Sequence, residues 1–179
     1  MNQLFLALFL LPSIAQSEES LDLNQPVRLF RKGKGEEAIQ WLDRQIETNP
    51  KSLTLYRLRG RIRDELGHFE KAVSDYSKVL QLDPKASEIY QLRGCAHFKT
   101  GAVRKSIQDF DNFLKVHLDR EPHHWQRGIS YYYSGQYRDG VRQFEIHRKI
   151  NPNDVENAFW HFLCNSRVIG VEQSRKHIM

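Results

Sequence analysis

Cysteine is scarce in this chain, two in 179 residues, so at most one disulfide could form and a buried apolar core must carry the fold. A membrane-spanning run is missing as well: the apolar stretch Leu4 to Ala15 falls short of the ~20 residues a bilayer helix needs. The net charge of +5 is spread along the chain with no block of five or six like charges, which argues against a nucleic-acid partner. Cys-x-x-Cys, His-Glu-x-x-His and Gly-x-Ser-x-Gly do not occur. Gly33-Lys34-Gly35-Glu36-Glu37 lacks the Gly-Lys-Ser/Thr ending of a phosphate loop. No catalytic residue, cofactor or metal is therefore expected.

What is present is a period. Gly60, Gly94 and Gly128 stand 34 residues apart, and Gly67, Gly101 and Gly135 repeat that step. Around the first set the chain reads Tyr56-x-x-Arg59-Gly60, Tyr90-x-x-Arg93-Gly94 and His124-x-x-Arg127-Gly128. Small residues follow at Ala72, Ser106 and Gly140, aromatics at Tyr76, Phe110 and Phe144, and unit ends at Pro84, Leu118 and Pro152. Ala38, Leu42 and Pro50 mark an earlier unit with a shortened first helix. A fixed period of this size is a stack of helix pairs, each unable to bury its apolar face alone. The first glycine set and the small residues belong where paired helices cross at ~8–10 Å. The second set belongs at the turn, where a positive φ costs glycine little. Asn-Pro and Asp-Pro stop the second helices, and Asn153 and Asp154 are available to cap the next.

These columns resemble the tetratricopeptide repeat over roughly residues 24–179, with Arg in place of leucine at 59, 93 and 127 and Leu118 in place of a proline. Such departures are expected to loosen no more than one helix junction. The resemblance implies an all-α, right-handed solenoid of stacked antiparallel helix pairs: units at 26–52, 53–86, 87–120 and 121–154, with a partial unit at 155–179. Residues 124–164 are similar to tetratricopeptide proteins of bacteria and plant plastids without assigned activity.

The N-terminus reads as a signal peptide over residues 1–17, cleaved after Ala15 or Ser17, followed by a polar leader at 18–25. No cysteine near the cleavage point would take a lipid anchor. The mature protein is expected outside the cytoplasm, periplasmic or secreted, without stable membrane insertion. Cys95 and Cys164 fall in first helices two repeats apart, near ~20 Å, too far for a disulfide. Both thiols are expected free.

The resemblance further implies a concave groove lined by the first helix of each unit. Its columns fall on Arg57 and Arg61, then Gln91, Cys95 and Phe98, then Trp125, Ile129, Tyr132 and Tyr133, grading from charged to aromatic. A partner protein or peptide is expected there, with Trp125 and Tyr132 alternatively core. The clamp by which some relatives grip a chaperone's terminal carboxylate is absent, since its positions hold Arg57, Arg61, Leu92, Pro122 and Gln126. Histidines concentrate late, and His124 and His147 could approach each other near Glu145, yet no ready-made zinc set appears. Phe159, Trp160 and Phe162 on the last long helix form an apolar end that pairs with a second copy or is shielded by the tail. An exported, non-catalytic binding scaffold, a homodimerising structural module and, remotely, a histidine-based metal or enzyme site are the three readings.

Overall fold

A computed structural model of the chain describes residues 21–176, so the signal and the first three residues of the leader lie outside the described residues. Those residues are helical with no strand. In order they form α1 (Asn24–Arg31), α2 (Gly35–Thr48), α3 (Leu53–Glu65), α4 (Phe69–Leu82), α5 (Ser87–Lys99), α6 (Val103–Leu114), a 3-10 turn (Leu118–His123), α7 (Trp125–Tyr133), α8 (Tyr137–Ile150), α9 (Val155–Ile169) and α10 (Val171–Arg175). Odd-numbered helices are the first of each pair and even-numbered helices the second, and the pairs stack into a solenoid. Helices α2, α4, α6, α8 and α10 begin at 35, 69, 103, 137 and 171, each 34 residues after the last.

The glycines sit where the period places them. A Cβ on Gly60 would meet the Tyr76 ring at 2.8 Å, on Gly94 the Phe110 ring at 2.7 Å, and on Gly128 the Phe144 ring at 2.6 Å. Each pair thus closes by laying an aromatic of its second helix on a bare stretch of its first. Gly67, Gly101 and Gly135 take φ of +80°, +76° and +81°, and Gly33 joins them at +76°. The small column also meets the next unit: Ser106 Oγ lies 3.2 Å from Ser130 Oγ, and a Cβ on Gly140 would reach Cys164 Sγ at 2.6 Å. Cys164 is therefore a fully buried packing residue; it and the half-buried Cys95 are both free. Burial raises their thiols, to about 12 and about 11 respectively.

The arginines that replace leucine do more than fill a column. Arg59 donates to Asp75 and to Asp43, each at 2.6 Å. Arg93 donates to both oxygens of Asp109 at 2.8 Å and to Ser77 Oγ at 3.1 Å. Arg127 donates to Gln143 at 3.0 Å and to Asp111 at 3.2 Å. One partner lies 16 residues ahead, on the second helix of the same pair, and the other 16 residues behind, on the second helix of the previous pair. Each guanidinium also lies over a tyrosine, Tyr56, Tyr90 or Tyr131, at 5.4–5.8 Å. Burial opposes the charge of Arg59, but hydrogen bonds to Asp75 and Asp43 outweigh it and its pKa rises; at Arg93 the bonds to Asp109 dominate and the pKa rises too. The substitution expected to loosen a junction instead ties neighbouring units together.

The fourth unit is the irregular one. A 34-residue step from Ser87 would start its first helix at 121, but α7 starts at Trp125, behind the 3-10 turn that holds Pro122. Proline keeps the preceding residue out of helical geometry, and no proline at 118 ends the previous unit. The carbonyls released by this turn are taken up by side chains of α8: Gln143 Nε2 donates to Glu121 O at 2.8 Å, and His147 Nδ1 to Pro122 O at 2.9 Å.

Candidate partner-binding groove

Helices α3, α5, α7 and α9 present one residue each at 34-residue intervals, Arg57, Gln91, Trp125 and Phe159. Contacts from helix to helix make this a continuous face. Lys99 on α5 pairs with Asp64 on α3 at 2.9 Å. Gln91 on α5 donates to Gln126 on α7 at 3.2 Å, and Phe98 lies 6.1 Å from Tyr133. Tyr132 and Tyr133 lie 5.6 and 5.9 Å from Trp160 on α9.

At the α3 end the face is cationic. That helix carries four arginines on two sides. Arg59 and Arg63 turn inward to the 2% exposed Asp75, Arg63 at 2.8 Å. Arg57 and Arg61 are exposed and form no ion pair or side-chain hydrogen bond among the described residues.

The middle is polar and locked. His124 caps α7: its Nδ1 accepts the Arg127 backbone N–H at 3.3 Å, which leaves the proton on Nε2 to donate to Gln91 Oε1 at 2.6 Å. The ring lies 4.5 Å from that of Phe110. Burial, aided by the Arg127 charge, pulls its pKa down to about 4. Gln91 and Gln126 also donate to Cys95 Sγ, at 3.6 and 3.4 Å.

At the α7–α9 end the face is aromatic. Trp125 is 42% exposed, Tyr133 60% and Phe159 56%. Phe98, Tyr132 and Trp160 are half-buried and pack on the last core cluster, and they back the exposed rings of Tyr133 and Phe159. Ile129 is 6% exposed and packs in that core, which corrects its place among the groove-lining residues.

The apolar end does not form one patch. Trp160 turns to the groove, and Phe162 is half-buried beside a cavity of about 530 Å³ between α8 and α9, lined also by Asn157, His161 and Ser174. Of the three rings only Phe159 is exposed, with Val155 on the same helix and Val168, Ile169 and Val171 exposed further along. Ser174 of α10 is buried, so the tail shields part of this end.

His124 and His147 are not partners. Besides Pro122, His147 faces Asp154 at 3.1 Å, and Asp154 caps α9 by accepting the Asn157 N–H at 3.0 Å. Glu145 lies instead 3.9 Å from His161. Among the described residues no group of three or more His, Cys, Asp or Glu is placed to hold a metal, and no helix is long and apolar enough to cross a membrane. The residues that sequence reasoning missed are Gln126, Asp75 and Asp109. The last two stand 34 apart, a signal that was available.

The comparisons agree with this geometry. The tetratricopeptide repeat family model matches residues 54–86. No curated protein matches the chain. Among solved structures it is similar to MamA (residue 41 to the end) from Desulfovibrio magneticus RS-1, with TM-score 0.76 and 18% identity over 86% of this chain and 87% of that one. It is similar to YrrB, described as a tetratricopeptide protein with an unusual peptide-binding site, with TM-score 0.76 and 14% identity over 86% and 79%. A tetratricopeptide protein of Parabacteroides merdae ATCC 43184 gives TM-score 0.72 and 18% identity over 87% of this chain and 63% of that one. Residues 54–86 match the tetratricopeptide repeat, and the described residues as a whole have the fold of a tetratricopeptide-like solenoid.

Proposed function

We propose that the protein is a non-catalytic, exported scaffold that holds a segment of a partner protein against the face of α3, α5, α7 and α9. The observation that carries this reading is the exposure of Trp125, Tyr133 and Phe159 along one face, the last two backed by Phe98, Tyr132 and Trp160. Exposed aromatics gathered on one side of a soluble domain are the usual mark of an interaction surface. YrrB, with the same fold, is named for a peptide-binding site, which favours a groove ligand here. The test is a pull-down from the exporting compartment with wild type and Trp125→Ala. The expected result is a co-purifying protein that the variant loses while its circular dichroism is unchanged. An unfolded variant, or a partner still held, overturns the groove assignment.

Export rests on the apolar run Leu4 to Ala15 and the small residues after it. Intact mass from an exporting host should show a chain starting at Gln16 or Glu18; retention of Met1 in the exported fraction refutes it. The second reading, a homodimer through α9, is favoured by Val155 and Phe159, 82% and 56% exposed on one helix.

A further inference from the structure

The two ends of the groove differ in chemistry, and the difference specifies what lies in it. Helix α3 has four arginines, and the fold neutralises only two. Arg59 and Arg63 share the buried Asp75, whereas Arg57 and Arg61, one turn apart, face solvent unpaired among the described residues. Two cations in that relation repel each other until an anion answers them. Asp64 on α3 is taken by Lys99, Glu88 on the neighbouring first helix lies 3.5 Å from His117, and the exposed Glu65, one turn beyond Arg61, forms no ion pair with it. The middle of the groove is uncharged at Gln91, Gln126 and Cys95, which bond to one another and to His124. Its far end offers ring faces, Trp125 and Tyr133, with Phe159 beyond.

Resting on the groove reading above, we propose that the ligand is an extended acidic–apolar segment. Its side-chain carboxylates meet Arg57 and Arg61, an uncharged stretch crosses Gln91, and a bulky aliphatic or aromatic residue seats on Trp125. The spacing follows from the stack. Neighbouring first helices stand ~8–10 Å apart, so Arg57 to Trp125 is two steps, ~16–20 Å. At ~3.3 Å per extended residue, the carboxylate and the apolar anchor are about five or six residues apart. Carboxylates at this end govern encounter and salt dependence, and the apolar anchor governs residence.

Capped peptides of two glutamates, a Gly/Ser spacer of about five residues and two leucines, made in both orders, test the class. Binding is followed by backbone amide chemical shifts of the protein, with glutamate-to-glutamine and leucine-to-serine peptides as controls. The expected result is binding of one order, shifts on α3 and α7, and about tenfold weakening by either control, by the double variant Arg57→Gln, Arg61→Gln, and by Trp125→Ala. A glutamine peptide that binds as tightly as its glutamate parent, with the same residues shifted, overturns the acidic ligand class and leaves the groove standing. Shifts confined to α2, α4, α6 and α8 overturn the groove as well. No binding by any peptide up to about 1 mM overturns the proposal.

Discussion

Units two and three and the last unit described are built from the same columns with different residues, and they diverge at two neighbouring positions of the first helix. In the middle units the first helix has Arg59-Gly60 and Arg93-Gly94; thirty-four residues after Arg127-Gly128 the chain has His161-Phe162. The arginines bridge two second helices, one ahead and one behind. His161 makes the backward contact with Glu145 at 3.9 Å, the same column that puts Asp43 beside Arg59. At the next position the middle units keep glycine so that a ring from the second helix can lie on the backbone. The terminal unit puts its own ring, Phe162, there. A following helix cannot close on a phenylalanine as α4 closes on Gly60. The same two positions thus close the middle pairs and cannot close the last described pair in that way.

The sharpest way to break this comparison is to move the terminal residue inward. Gly128→Phe should abolish the cooperative thermal transition, since even a Cβ there would stand 2.6 Å from the Phe144 ring. Phe162→Ala should keep the fold and cost about 2 kcal/mol, less than a fully buried ring, by denaturant titration. Equal losses from the two changes would refute the distinction.

Next comes the bridge. Arg93→Leu restores the usual residue of the family but leaves the 3% exposed Asp109 without its partner, at an expected cost of about 3–5 kcal/mol. Adding Asp109→Leu should recover most of that loss. His161→Leu, facing a half-exposed Glu145, should cost under about 1 kcal/mol. An Arg93→Leu protein as stable as wild type would show that the bridges carry no net stability.

The irregular joint between these regions should respond to acid. His124 is neutral in the fold, its pKa pulled from 6.5 to about 4. A proton on Nδ1 would remove the acceptor that caps α7. The unfolded chain binds that proton first, so stability is complete above about pH 6.5 and falls as the pH drops toward 4, by about 2 kcal/mol at pH 5. His124→Tyr, which matches Tyr56 and Tyr90, should flatten the loss between pH 7 and pH 5. An unchanged profile would assign the acid sensitivity to other groups.

The smallest effect belongs to the outermost side chain. Phe159→Glu should alter monomer stability by no more than about 0.5 kcal/mol, because Phe159 is 56% exposed. Sedimentation of wild type and variant then reads self-association alone. A wild type that stays monomeric at high concentration removes the homodimer reading.

The sequence by itself determined the period, the helix pairs, the crossing glycines and the turn glycines, because each rests on local geometry repeated every 34 residues. It also separated Arg57 and Arg61 from the rest of the groove by charge. Tertiary structure alone decided which of the four arginines on α3 are answered. Arg59 finds Asp75 and Asp43 at 16 residues forward and back, distances set by how pairs stack and not by any helical repeat. The same holds for the histidines. His124 caps α7 behind the 3-10 turn at Pro122, and His147 reaches that turn's freed carbonyl only once α8 packs beside it. Ile129 was drawn into the core and Tyr133 left outside for a related reason. A neighbouring helix covers one side of α7 and not the other, and a one-dimensional pattern does not say which residues the next unit will reach.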